Sequence, residues 1–329
     1  MNPPPHGPAS VAPSGGIGQP SPNRCAAASE FTPFGTACAA PVPTAGGVRA
    51  PALIAVAHGS RDPRSAATMH AVVEQVAAAR PDIDVRLAFL DLSTPSVDQV
   101  VDAIAAEGHS HALVAPLLLG SAFHARVDLP GLLAEARSRH PRLRLTQADV
   151  LGPDPRLVEA LRDRVSESLS DTPPASVPRA FPGGPSPRLT STWDRPLEAL
   201  AAQGRSPHGR PSQRVGIAVA AVGSSSGAAN ARTARVAHRL TVMTGWDTEI
   251  CFATTEPTVA EAVARLRARG ADQVLVAPWF LAPGLLTDRL LANAPDLAHA
   301  EVIGAHPALT DIVWDRYDAA IAMPLTLSA

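Results

Sequence analysis

The sequence predicts an α/β protein: two doubly wound parallel-sheet domains that face each other. Three observations carry this. Short apolar runs alternate with longer amphipathic ones. The pattern is written twice along the chain, and two low-complexity stretches, residues 1–50 and 170–213, set the folded segments 51–169 and 214–323 apart. Strands that are apolar along their whole length, each followed by a helix, belong to a parallel sheet covered on both faces.

In order, the first segment reads as strand Leu53–Ala57, helix Pro63–Ala79, strand Val85–Leu90, helix Val97–Ala106, strand Ala112–Leu118, helix Leu129–Arg139, strand Leu143–Val150 and helix Arg156–Ser168. Asp62-Pro63 supplies an N-cap carboxylate and a proline in the first turn of the first helix. The second segment repeats the theme. "ALIAVAHGS" (Ala52 to Ser60) returns as "GIAVAAVGS" (Gly216 to Ser224), and "TPSVDQVVDAIAAEG" (Thr94 to Gly108) as "EPTVAEAVARLRARG" (Glu256 to Gly270). "ALVAPLLL" (Ala112 to Leu119) returns as "QVLVAPWFL" (Gln273 to Leu281), and "LGPDPRLVEAL" (Leu151 to Leu161) as "IGAHPALTDIV" (Ile303 to Val313). Four matches in one order mark a duplicated unit.

Composition narrows the function classes. At 329 residues and 46% hydrophobic, the chain has room for two cores. It has no apolar run long enough to cross a bilayer, so an integral membrane protein is not expected. A formal charge of -2 gives no footprint for nucleic acid. Every basic residue is arginine, and prolines number 34, which reads as codon bias in a GC-rich genome. Cys25, Cys38 and Cys251 form neither a C-x-x-C pair nor a zinc-knuckle spacing, so no disulfide framework is expected. The first fifty residues lack both the basic and the apolar regions of a secretory signal, and with the second low-complexity stretch they are expected to be disordered. A cytoplasmic protein is expected, and a monomer, because an internally paired chain has less need of a partner.

In an open parallel sheet the ligand site lies beyond the carboxyl ends of the strands. His58 follows the first strand, Asp91 the second, and His124 lies just past the third. Two imidazoles and a carboxylate suit a borderline divalent metal such as Co²⁺, Fe²⁺, Ni²⁺ or Zn²⁺. They are too few to enclose it, which suggests a metal held and released. A lone histidine at a strand end is ordinarily a hydrogen-bonded structural residue; three such residues at corresponding ends favour a site.

Other motifs have plainer readings. His109 and His111 precede the third strand and belong to the opposite edge. "GSSSG" (Gly223 to Gly227) lacks the lysine and spacing of a phosphate loop and reads as a tight turn. Ser60 beside His58 hints at a hydrolase, but the nucleophile-elbow motif is absent. His238 and His299 fall in helix-like, solvated stretches. In the second half Val222 aligns with His58, Ala253 with Asp91, and an apolar residue near Leu286 with His124. The copy keeps the frame and loses the polar set, so the first half is expected to act and the second to close the cleft.

"AVAHGSRDPRS", "AFLDLSTPS", "VAPLLLGSAFHARVDLP" and "LGPDPRLVEAL" together resemble the sirohydrochlorin chelatase family of the CbiX type, with His124 five residues beyond the P-L-L-L run and D-x-P after it. The resemblance covers nearly all of residues 52 to 168, and a degenerate version covers about 215 to 322. It implies the class II chelatase fold, two flavodoxin-like lobes around a tetrapyrrole cleft. It also implies insertion of Co²⁺ or Fe²⁺ into sirohydrochlorin, without nucleotide hydrolysis, on the routes to cobalamin and siroheme. No cofactor is expected beyond the substrate metal. By resemblance, His58 and His124 match the histidines of the two family motifs. Asp91 stands where many relatives carry glutamate, which leaves its metal-ligand role open.

Insertion requires two pyrrole N–H protons to leave while the metal sheds water. Neutral imidazole can bind the ion and accept a proton near neutral pH. His58 and His124 are therefore the expected catalytic groups and, with Asp91, the expected metal ligands. Ser60, Arg61, Arg64 and Arg126 are expected at the cleft mouth, where guanidinium can pair with the substrate's carboxylates. The alternative reading is a carrier that binds a tetrapyrrole or metal without turning it over.

Overall fold

A computed structural model describes residues 49–120, 128–171 and 214–322. The tail expected over 1–50 and the linker expected over 170–213 fall outside these residues, but for two residues each. Strand β1 (Ala52–Ala57) leads to α1 (Pro63–Ala79), β2 (Val85–Phe89), α2 (Val97–Ala106), β3 (His111–Pro116), α3 (Leu129–Arg139), β4 (Arg144–Gln147) and α4 (Pro155–Asp171). The second half runs β5 (Val215–Ala221), α5 (Gly227–Thr244), β6 (Asp247–Phe252), α6 (Val259–Ala268), β7 (Gln273–Pro278), α7 (Leu285–Asn293), β8 (Ala298–His299) and α8 (Pro307–Ala322). All strand pairs are parallel, and the two sheets have matching orders, β2-β1-β3-β4 and β6-β5-β7-β8. The fold is α/β, as the alternation of patterns predicts.

Local chemistry explains the boundaries. All six residues of β1 are buried, as a central parallel strand requires. The Asp62 carboxylate accepts the Arg64 backbone N–H and starts α1. Ser96 and Gln99 close a capping box on α2, and Thr258 and Glu261 close the same box on α6. Strand β3 stops short of the expected Leu118, because the Leu118 N–H turns back to the Pro116 carbonyl. Strand β4 is also shorter than expected. His299, expected in a helix, lies in β8, and its Nε2 sits 2.9 Å from the Ala294 carbonyl oxygen.

The outer face of each sheet has its own core. Ile54, Val56, Val101, Ile104, Leu129 and Leu133 pack under α2 and α3, whereas Val263, Leu266, Val276 and Leu290 pack under α6 and α7. The inner faces share one cluster, running from Leu53 and Leu113 through Val76, Leu157 and Leu161 to Ile217, Val219, Ile312, Val313 and Tyr317. Each fully buried Leu or Ile in it contributes roughly 1.5–3 kcal/mol.

That shared core arises from an exchange. Helix α4 packs against α5 and β7 of the second half, and α8 packs against α1 and β3 of the first. Polar contacts fix the exchange. The buried Trp314 indole donates to the Val76 carbonyl at 3.1 Å, and the Tyr317 hydroxyl donates to the Pro51 carbonyl at 2.6 Å. Arg316 donates to the carbonyls of Val150 and Leu151, and Arg156 pairs with Asp315 at 2.7 Å. The buried Asp154 carboxyl, bonded by Arg156 at its own helix start, is held below the usual carboxylate range. The described residues all belong to a single compact unit.

Candidate functional site

Strand β1 ends at Ala57, and His58 is the first exposed residue beyond it. The next position must be glycine. Gly59 has φ +94°, and a Cβ there would lie 1.7 Å from the Asp91 carbonyl oxygen. This close approach draws the chain after β2 against His58, and the Asp91 N–H donates to the His58 carbonyl at 3.0 Å. His58 and Asp91, far apart in sequence, are thus neighbours at one sheet edge. The Leu92 N–H donates to Asp91 Oδ1 at 2.7 Å, which fixes the carboxylate's orientation. Ser93 clamps the two loops together: its hydroxyl donates to the Ser60 carbonyl at 2.9 Å and accepts the Ser60 N–H at 3.1 Å.

Ser60 itself serves the helix start. Its Oγ accepts the Asp62 N–H at 3.0 Å, and in the second half Ser224 Oγ accepts the Ser226 N–H at 3.1 Å in the same way. A turn repeated in the half that lacks the histidine belongs to the frame, and this removes the ground for a Ser60 hydrolase. Arg61 is exposed at the same edge. Arg64 is already engaged. Its guanidinium holds Asp62 within its own helix turn, pulling that carboxyl below its ordinary range, and reaches Asp288 of α7 at 2.6 Å. With Gly284 close to Ser60, this ion pair brings the start of α7 to the carboxyl edge of the first sheet. His124 and Arg126 lie outside the described residues.

The second half shows what the frame looks like without the polar set. Val222 holds the place of His58, as expected, but the residue matching Asp91 is Thr254 and not Ala253. The reason is backbone register: the Thr254 N–H donates to the Val222 carbonyl at 3.1 Å, as the Asp91 N–H does to His58. Thr254 also turns its hydroxyl onto the Val222 carbonyl at 2.8 Å. Sequence alignment missed this because the first half carries one more residue in the loop. Phe89 bonds the Pro95 carbonyl across residues 90–94, whereas Phe252 bonds the Pro257 carbonyl across residues 253–256. Ser93 was also missed, and the S-T-P spacing offers no signal for its clamp.

At the opposite edge, Asp84, Glu107 and the buried His109 offer metal-type ligand atoms within 4.8 Å of one another. His109 Nε2 is 3.1 Å from Asp84 Oδ2, without the alignment of a hydrogen bond. The Arg86 guanidinium occupies the cluster, bonded to both Asp84 and Glu107. The second half repeats this pair with its charges inverted: Glu249 stands in β6 where Arg86 stands in β2, and Arg269 caps α6 where Glu107 caps α2. An ion pair that survives inversion ties a strand to a helix end, so the cluster is structural. His111 Nε2 lies 3.0 Å from Thr146 Oγ1 across β3 and β4, and burial depresses its pKa. Both histidines lie at the amino edge, as expected.

The carboxyl edge of the first sheet brings His58 and Asp91 together, and known proteins share the fold that builds it. A family model described as CbiX matches residues 52–168 and 216–320. The chain is 24% identical to a sirohydrochlorin cobaltochelatase of Priestia megaterium, over 82% of this chain and 80% of that enzyme. It is 30% identical to a sirohydrochlorin ferrochelatase of the same organism over 36% of this chain, spanning only 45% of that relative. Its fold is similar to that of SirB from Bacillus subtilis, solved with Fe³⁺, with a TM-score of 0.60 at 22% identity over 82% of this chain and 95% of that one. With both halves of the duplicated unit matched, the chain belongs to the CbiX family.

Proposed function

We propose that this protein inserts a divalent metal, Co²⁺ or Fe²⁺, into sirohydrochlorin on a route to cobalamin or siroheme, acting at the carboxyl edge of its first sheet. The enzyme class, a sirohydrochlorin chelatase, follows from the family and from relatives that carry that activity by name. The observation that carries the residue assignment is the pairing of His58 with Asp91 at adjacent strand ends, in the half whose counterpart offers only Val222 and Thr254.

The reaction exchanges two pyrrole N–H protons for one M²⁺. His58 binds the incoming metal through its imidazole and, as the metal passes to the ring, takes up one departing proton on the nitrogen so freed. Asp91 beside it offsets the cation's charge or orients the imidazole. His124, matched to the family's second motif, supplies the other imidazole and takes up the second pyrrole proton. Arg61 receives substrate carboxylates directly, while Arg64 does so by exchanging Asp288 for a substrate carboxylate. Nothing in two imidazoles and a carboxylate separates Co²⁺ from Fe²⁺ strongly, so cellular supply selects between them.

An anaerobic absorbance time course of sirohydrochlorin with Co²⁺ and Fe²⁺ in parallel tests this. Protein-dependent conversion above the metal-only background is expected, and the faster metal identifies the route. A spectral shift on binding with no metal-dependent conversion would overturn the enzyme reading and leave a carrier.

A further inference from the structure

The one-residue difference between the two loops has a specific product. In the first half the extra residue makes a three-residue turn with Leu92 at its centre, closed by the Ser93 N–H on the Asp91 carbonyl at 2.7 Å. Leu92 has φ +61°, the only positive φ of a non-glycine residue among those described. Such turns are rare and strained, and a leucine there costs about 1 kcal/mol or more relative to glycine. The strain does not secure a buried side chain in return, because Leu92 is 51% exposed. A bulky apolar side chain held half-exposed on a strained backbone, next to Asp91, points to a contact made to a ligand.

Leu285 stands nearby. It is 71% exposed at the first position of α7, and its neighbour Gly284 approaches Ser60, to which Ser93 is clamped. Leu92 and Leu285 therefore each adjoin a residue that touches the Ser60 loop, one from each half of the molecule. The exposed cation of Arg61 lies in the same loop. Two apolar side chains with cationic groups around them complement a flat, apolar ring fringed by carboxylates.

We infer that Leu92 and Leu285 grip the face of the tetrapyrrole, Leu92 from the metal-handling half and Leu285 from the other. They are positioning residues for the macrocycle and take no part in moving protons. The inference rests on the chelatase reading above and deepens it by naming what holds the ring.

Titration of the full chain with sirohydrochlorin in the absence of metal reads ring affinity apart from insertion. Leu92→Gly removes the side chain and relieves the positive φ together. Affinity is expected to fall about 5- to 30-fold, the worth of burying much of a leucine, while the thermal midpoint stays level or rises. Leu92→Met, which keeps an apolar side chain, should hold affinity within about 3-fold on the same scale, and Leu285→Ser should weaken it about 3- to 10-fold. In steady state KM should rise in Leu92→Gly with kcat nearly unchanged. Equal affinity in the wild type and Leu92→Gly would overturn the inference and leave the chelatase reading standing. A fall in affinity that tracks a fall in the thermal midpoint would also overturn it, because Leu92 would then be structural. A wild-type chain that does not bind sirohydrochlorin overturns both.

Discussion

At the carboxyl end of β1 the chain carries His58, and at the same place on β5 it carries Val222. The surrounding frame is otherwise repeated in detail: the positive-φ glycine that follows, the serine turn before the helix, the capping box on the next helix and the strand order. Apart from the inverted ion pair at the opposite edge, what differs is a set of side chains at the carboxyl edge and one added residue, which puts Leu92 at the centre of a strained turn. A frame that persists where the polar residues do not separates the requirements of folding from those of chemistry. Serine turns, caps and ion pairs common to both halves belong to the first set; the proposed function assigns His58, Asp91 and Leu92 to the second.

The largest test of that division is paired substitution. His58→Ala should slow metal insertion by about 100-fold or more with an unchanged circular dichroism spectrum, whereas Val222→Ala should change turnover by less than about 3-fold on the same scale. Comparable losses in the two variants would erase the distinction between the halves.

Next in size is the glycine pair. In Gly59→Ala the new Cβ meets backbone, the Asp91 carbonyl, at 1.7 Å; in Gly223→Ala it meets the Thr254 and Thr255 side chains at 2.9 Å and Phe252 Cβ at 3.0 Å. Side chains can give way where a backbone carbonyl, held in its turn by the Ser93 N–H, cannot. Urea denaturation should show a loss of about 3–5 kcal/mol for Gly59→Ala and about 1–2 kcal/mol for Gly223→Ala. The reverse order would mean that the loops after β1 and β2 relax in a way their hydrogen bonds do not suggest.

The smallest effect sharpens the reading of the inverted ion pair. Arg86→Glu or Glu107→Arg alone leaves like charges together and should lower the melting temperature by about 1–2 °C. The double reversal reproduces the second half's arrangement and should recover most of that loss. It also puts a cation at the carboxyl end of α2, where the helix dipole favours one. No recovery in the double variant would reopen the metal reading of Asp84, Glu107 and His109.

Most of the fold was legible because its signals are local. Uniformly apolar strands and the Asp62-Pro63 start each act within a few residues, and the repeat doubled the strand–helix pattern. His58 and Asp91 could be found because a parallel sheet sends every strand's carboxyl end to one edge. The pairing of Thr254 with Val222 could not, since one inserted residue shifts the alignment and only backbone hydrogen bonds restore it. The Ser93 clamp and the Arg64–Asp288 pair were equally hidden, being made between segments 33 and 224 residues apart. Nor did the echo between "LGPDPRLVEAL" and "IGAHPALTDIV" reveal that each of these helices lies on the other half's sheet, because an apolar helix face looks the same whichever sheet it covers.

That crossing of α4 and α8 bears on how such a chain changes over generations. A gene duplicate without its original task is ordinarily free to be lost. Here the first half's inner face is covered by α8, whose Trp314 and Tyr317 bind the backbone of Val76 and Pro51. Deleting the second half would strip that cover away, and expressing the halves separately would give two pieces that complete each other only when mixed. The copy without a counterpart of His58 thus still supplies part of its twin's core.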